Sequence, residues 1–153
     1  MPATMSVSLT PWSIETELRM SIANGGGNKV LREATGSNEG NVTATDPVSL
    51  AVDVAAFRGQ IDDRNVRLAA STESDAIEAP AALDRIDLVQ YTYGTGVNIK
   101  TGAENASPVA PTVDAASISH ATIYCRPAMT SIKDTDDASN GYITNLAARY
   151  TGS

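Results

Sequence analysis

Few side chains in this sequence have the types and spacing for chemistry. The best placed are Arg85 and Asp87, in the stretch LDRIDLVQYTY over residues 83–93. They stand two apart, so on a strand they share one face and can orient one another. A catalytic role is the alternative to a structural one. Buried unpaired charge is costly, however, so an Arg and an Asp on either side of an expected core isoleucine, Ile86, read first as a structural ion pair. The chain has one histidine, His120, and one cysteine, Cys125. One of each cannot build a structural zinc site within a chain, and a lone cysteine gives no intrachain disulfide. His120 reads as a hydrogen-bonded structural histidine and Cys125 as a small hydrophobe, both within a strand.

Other motifs fall short of their chemistry. Asp134, Asp136 and Asp137, followed by Ser139, Asn140 and Gly141, have the composition of a calcium loop. The carboxylates are misplaced for an EF-hand, and the twelfth position from Asp134 is Asn145 rather than Glu. A solvated acidic turn is expected. Gly25, Gly26 and Gly27 could cradle an anion, but no Gly-Lys-Ser/Thr follows and no strand-to-helix context surrounds them. No pair of carboxylates is singled out for glycoside chemistry. Asn41-Val42-Thr43 fits a glycosylation acceptor without a secretion signal to support it. The expectation is a non-enzymatic chain with no cofactor and no metal.

The element that must position Arg85 and Asp87 is a strand. Residues 83–93 are rich in β-branched, Leu and Tyr residues and end at Gly94-Thr95-Gly96, a hairpin signal leading to Val97 and Ile99. Alternation puts Ile86 and Leu88 on one face and Arg85, Asp87, Val89, Tyr91 and Tyr93 on the other. Further strands are expected at Val48–Val54 by alternation, at Val66–Ala70, at Ile118–Cys125, which ends at Pro127, and briefly at Ile132. A weak one is expected at Val30 and Leu31. Phe57, Arg58 and Gly59 suggest a bulge or turn, residues 71–82 an exposed connection, and residues 101–117 an extended crossover. The clearest helix signal lies earlier. Thr10 can cap, Pro11 fits the first turn, and Ile14, Leu18 and Ile22 form one apolar stripe before Asn24 and the glycines stop it. Tyr142, Leu146 and Tyr150 repeat at four-residue spacing, which predicts a short helix or a partner-binding tail.

These signals predict a mainly β fold, an antiparallel sandwich or barrel with one N-terminal helix and an extended N-terminal arm. The expected divisions are an arm and helix over 1–27, a β-domain over 28–137 and a tail over 138–153. In the arm, Met5, Val7 and Leu9 alternate with Ser and Thr. Together with Trp12, Ile14, Leu18, Ile22, Tyr142, Leu146 and Tyr150, they are the residues expected to dock on a partner or a second copy.

Composition narrows the partners. The chain has 153 residues and a formal net charge of −7, so it is repelled by phosphate and nucleic-acid binding is not expected. No apolar run approaches the roughly 18 residues of a membrane span, and none is expected. The first ten residues lack the basic and apolar pattern of a signal peptide. Tyr91, Tyr93 and Trp12 would supply stacking platforms in a host-glycan-binding module.

The landmarks from residue 48 to residue 137 resemble a family of small virion proteins of tailed bacteriophages. They run in order: an alternating strand at 48–56, Gly59, a strand at 66–70, the Arg-Ile-Asp-Leu-Val core at 85–89, a strand ending at Gly102, the Pro108-x-x-Pro111 crossover, a strand containing Ala121, and Ile132-x-Asp134. The family's Arg after the last landmark is replaced by Asp136 and Asp137. The resemblance implies a β-rich virion building block assembled in the host cytoplasm. It implies a homo-oligomer, a trimer for choice, that contacts other virion proteins. A tail or baseplate connector or fibre base is the first expectation, and a capsid decoration protein or head spike the alternative.

Overall fold

The computed structural model describes residues 28–32, 38–146 and 150–151. The expected arm and the helix after it lie outside these residues. Among the described residues the regular structure is all strand: β1 (Lys29–Arg32), β2 (Val42–Ala44), β3 (Val52–Val54), β4 (Phe57–Ile61), β5 (Arg64–Leu68), β6 (Thr72–Glu73), β7 (Arg85–Thr92), β8 (Gly96–Lys100), β9 (Ser117–Cys125), β10 (Ile132–Lys133), β11 (Gly141–Asn145) and β12 (Tyr150–Thr151). They form sheets of order β12-β1-β4-β5, β10-β11-β9-β7-β8 and β2-β3-β6. The pairings are antiparallel except for β1 with β12 and β10 with β11. One core joins all three sheets, with Val30, Phe57 and Ile61 from the first, Val89, Ala121 and Ile123 from the second, and Val42, Val52 and Val54 from the third.

Two hairpins follow from turn chemistry. Asp62 and Asp63 join β4 to β5 with φ of 48° and 62°, the left-handed pair that a two-residue turn of matching twist requires. The Asn28 side chain accepts the Asp62 N–H at 2.9 Å and fixes the turn. Gly94 and Gly96, at φ 81° and 91°, close β7 onto β8.

β7 lies inside the five-stranded sheet, between β8 and β9. Its inward face is not the one expected. Arg85, Asp87 and Val89 stand opposite Cys125, Ile123 and Ala121, which belong to the core side, and Asp87 and Val89 are fully buried. Ile86 is half-buried on the other face, which it shares with Leu88 opposite Tyr124 and Thr122, and there Leu88 is itself buried outside the main core cluster. Alternation alone gave the right partition of side chains but the wrong inside, because the charged pair neutralises itself. On β9 the phase changes at a bulge. Val89 pairs with Ala121 and Gln90 with Ser119, leaving His120 as the extra residue, so His120 and Ala121 are both buried.

Other segments also depart from expectation. Phe57, Arg58 and Gly59 are not a turn but the start of β4. A Cβ at Gly59 would stand 2.6 Å from the Lys29 carbonyl oxygen and 3.0 Å from Ile118 Cδ1, so glycine serves strand packing there. The strand expected from Val48 is confined to β3, because Thr45, Pro47 and Ser49 engage in turn hydrogen bonds and Val48 is exposed. The connection over 71–82 is not wholly exposed. Ser74 and Ile77 donate backbone N–H groups to Val52 and Leu50 at 2.8 and 2.7 Å, and Ile77 is buried. Of the two expectations for Tyr142 onward, a short helix or a partner-binding tail, the helix does not form over Gly141–Asn145, which are β11, paired with β9 and burying Ile143, nor at β12. Four-residue spacing misled here, because Ile143 and Thr144 between the spaced residues suit a strand.

Candidate functional site

The densest polar chemistry in the buried interior is built around Asp87. Arg85 donates to it twice, Nε to Oδ1 at 2.7 Å and Nη2 to Oδ2 at 2.8 Å, the bidentate geometry that makes such pairs strong. Oδ1 also accepts the Gly102 N–H at 2.9 Å, and the Cys125 thiol approaches Oδ2 at 3.6 Å. Arg85 Nη2 further donates to the Glu78 carbonyl at 2.8 Å. The carboxylate therefore ties β7 to the start of the crossover and to β9, while the guanidinium ties it to the segment before the strand. A side chain at position 102 would collide with the Ile86 carbonyl, so glycine is needed for its N–H to reach Asp87.

Electrostatics stabilises this arrangement. The hydrogen bond to Asp87 holds the Arg85 pKa above its ordinary value. Burial, aided by the Asp87 charge, pushes the Cys125 thiol up to about 12, so it stays protonated and unreactive. His120 is fully buried, with Nδ1 2.9 Å from the Gly40 carbonyl and its ring against Phe57 at 4.7 Å between centroids. The one thiol–carboxylate contact, Cys125 with Asp87, is buried and its carboxylate is already paired with Arg85. Among the described residues no three His, Cys, Asp or Glu side chains gather as a metal site.

The outer face of the five-stranded sheet carries a second cluster. Tyr124 and Tyr142 stack at 5.4 Å and 17°, and Arg126 lies over both rings at 5.0 and 5.4 Å. Arg126 also pairs with Asp136 at 2.9 Å, and Tyr124 donates to Asp84 at 2.6 Å. The acidic turn is thus satisfied from within. Asp137 accepts from Ser139, Asn140 and Lys133, which holds its carboxyl well below the usual range, the Asn140 side chain most of all. Arg126 likewise holds Asp136 low. Two further anions do similar work on loops. Glu104 accepts the N–H groups of Ala81, Ala82 and Leu83 and is held low chiefly by Ala81. Asp114, held low chiefly by Lys100, accepts from Lys100 at 2.6 Å and from Gln90 at 2.7 Å. Nothing in the sequence around Glu104 or Asp114 announces these roles, because their partners lie 14 to 24 residues away.

The remaining expected site residues are scattered. Met5, Val7, Leu9, Trp12, Ile14, Leu18 and Ile22 lie outside the described residues. Tyr142 is taken up in the aromatic stack. Leu146 is half-buried and donates its N–H to the His120 carbonyl at 3.0 Å, and Tyr150 lies in β12 opposite Leu31. Tyr91 and Tyr93 do not form a joint platform. Tyr91 meets Phe57 edge-on at 5.3 Å as part of the core, while Tyr93 sits past the end of β7 with the Arg64 guanidinium 4.6 Å over its ring. Comparison with family models, curated proteins and solved structures finds no match for the chain.

Asp87→Ala leaves the buried Arg85 charge without its counter-ion and the Gly102 N–H without its acceptor. Urea unfolding should show a loss of about 3–5 kcal/mol. The double replacement Arg85→Met/Asp87→Leu should cost clearly less, and a single variant no worse than the double one would contradict the account. The depressed carboxylates of Glu104, Asp114, Asp136 and Asp137 set a pH dependence. Their contribution is fully present above the ordinary carboxylate range, about 4, and is lost as pH falls through the lower folded-state values. Melting followed by circular dichroism should therefore give a midpoint that drops on acidification below about pH 4, and a rising midpoint would refute it.

Proposed function

We propose that this chain is a non-enzymatic structural protein of a tailed-bacteriophage virion, an oligomeric accessory of the tail or baseplate that acts as a connector or fibre base. On this reading the three sheets close a sandwich or barrel, and the arm over residues 1–10 joins copies as a trimer. The observation that supports it is that several of the landmarks on which the resemblance to phage virion proteins rests hold the fold together. Asp87 of the Arg-Ile-Asp-Leu-Val core accepts the Gly102 N–H. Ala121 is fully buried opposite Val89. Ile132 is fully buried, and Asp134 accepts the Ala44 N–H at 2.8 Å. Val89, Ala121 and Ile132 lie in one hydrophobic core although they are far apart in the sequence.

The state of the chemistry-bearing side chains supports a structural role. Arg85 and Asp87 neutralise one another, Cys125 is buried and protonated, and His120 is packed against Phe57. A general acid, base or nucleophile needs access to a reacting atom and a partner within hydrogen-bond reach.

Two measurements test the reading. Sedimentation equilibrium of the purified chain should give about three times the 15.9 kDa chain mass. Immunogold electron microscopy of whole particles should place label on the tail. Label spread over the head would make the protein a capsid decoration instead, and its absence from purified particles by blot would overturn the virion assignment.

A further inference from the structure

Beside the ion pair, the segment before β7 and the edge strand β8 enclose a cleft of about 360 Å³ lined by Asp75, Ile77, Glu78, Arg85, Ile99 and Thr101 among others. Arg85 is more than nine-tenths buried, yet it reaches this cleft. Its Nε and Nη2 are committed to Asp87 and to the Glu78 carbonyl. Nη1 makes no hydrogen bond among the described residues, and it is not sealed in the interior. A guanidinium held rigid by its bonds to Asp87 and Glu78 thus borders the cleft with one donor uncommitted. Such fixed donors bind with little loss of side-chain freedom.

The rest of the lining is complementary to a particular chemistry. Asp75 and Glu78 are exposed, and their carboxylates make no hydrogen bond or ion pair among the described residues. They are strong acceptors at the rim. Thr101 adds a hydroxyl, and Ile77 and Ile99 give apolar surface. Arg85 is already neutralised by Asp87, so the rim carboxylates leave the cleft electronegative and unsuited to an anion. A cation would satisfy the carboxylates but accept nothing from Nη1. A neutral polyol does both. Its oxygens accept from Arg85, its hydroxyl hydrogens donate to Asp75 and Glu78, and its C–H faces lie on the isoleucines. A cleft that combines apolar surface with a few converging polar groups is the usual form of a small-ligand site.

We propose that this cleft binds a neutral saccharide residue. The site is separate from Tyr91 and Tyr93. It does not depend on the virion assignment, because binding is read on the isolated chain. A saccharide site on an oligomeric protein would be presented once per copy, so weak single-site affinity would be multiplied by valency.

The test is amide and arginine Nε proton–nitrogen NMR of the full chain, titrated with methyl glycosides of hexoses, 6-deoxyhexoses, pentoses and N-acetylhexosamines and with common disaccharides. At least one should give saturable shifts at Ile77, Ile99, Thr101 and Arg85 Nε–H. Asp75→Asn/Glu78→Gln removes two charged acceptors that support nothing else in the fold, and should weaken that binding roughly tenfold or more with the remaining spectrum unchanged. Lysine methyl ester and acetate serve as a cationic and an anionic probe. No saturable cleft shifts with any saccharide would overturn the proposal. So would cleft shifts with lysine methyl ester or acetate alone, or saccharide binding untouched by the double variant.

Discussion

A carboxylate placed in the core of a small β protein must be surrounded by donors, and the neighbourhood of Asp87 is organised by that requirement. Its oxygens accept from Arg85 Nε and Nη2, Gly102 N–H and the Cys125 thiol, so no lone-pair direction is left facing apolar side chains. Such a pair is poor evidence of extra stability, because removing two charges from water costs about what their attraction returns. Its value is in specification. The pair brings residue 78, residue 102 and β9 together around β7, and a path that separated them would strand a buried charge.

The opposite face of the same strand is settled by a second polar device. Gln90 is buried and bonds to Asn98 on β8 and to Asp114 at the end of the crossover, while Lys100 holds both Asp114 and the Thr112 carbonyl. The crossover over 101–116 is thus anchored at its start by Asp87 and at its end by Gln90 and Lys100. On β9 the bulge at His120 turns two consecutive side chains inward and lets the ring fill the space beneath Gly40, whose Cβ position lies 3.0 Å from the imidazole. Irregular segments carry much of this fold, and several of them are held by a named side chain rather than by regular pairing.

That division explains what was readable from the sequence. The strand 83–93, its hairpin through Gly94, the strand near 118–125 and the mainly β class follow from local composition and period-two alternation. The partnership of Arg85 and Asp87 follows from spacing alone. What alternation cannot give is which face is inside, and the usual burial of apolar residues points to Ile86 rather than to its charged neighbours. The error at Gly59 has the same origin. Glycine punctuates turns in local terms, but here it makes room for a neighbouring strand's carbonyl. Tyr142, Leu146 and Tyr150 carry a helical spacing that β pairing with distant residues overrides. Glu104, Asp114 and the cleft were invisible because each is made by segments far apart in the sequence.

If Asp87 specifies the fold as described, the Gly102 amide is the place to look. It lies outside any strand, in a segment whose next residue, Ala103, is exposed. Native-state hydrogen exchange should show the Gly102 N–H protected to the same free energy as the core amides of Val89 and Ile123, because only global unfolding frees it from the buried carboxylate. Exchange of Gly102 as fast as Ala103 would mean that the crossover opens without disturbing the core, and would contradict the ion pair as its anchor.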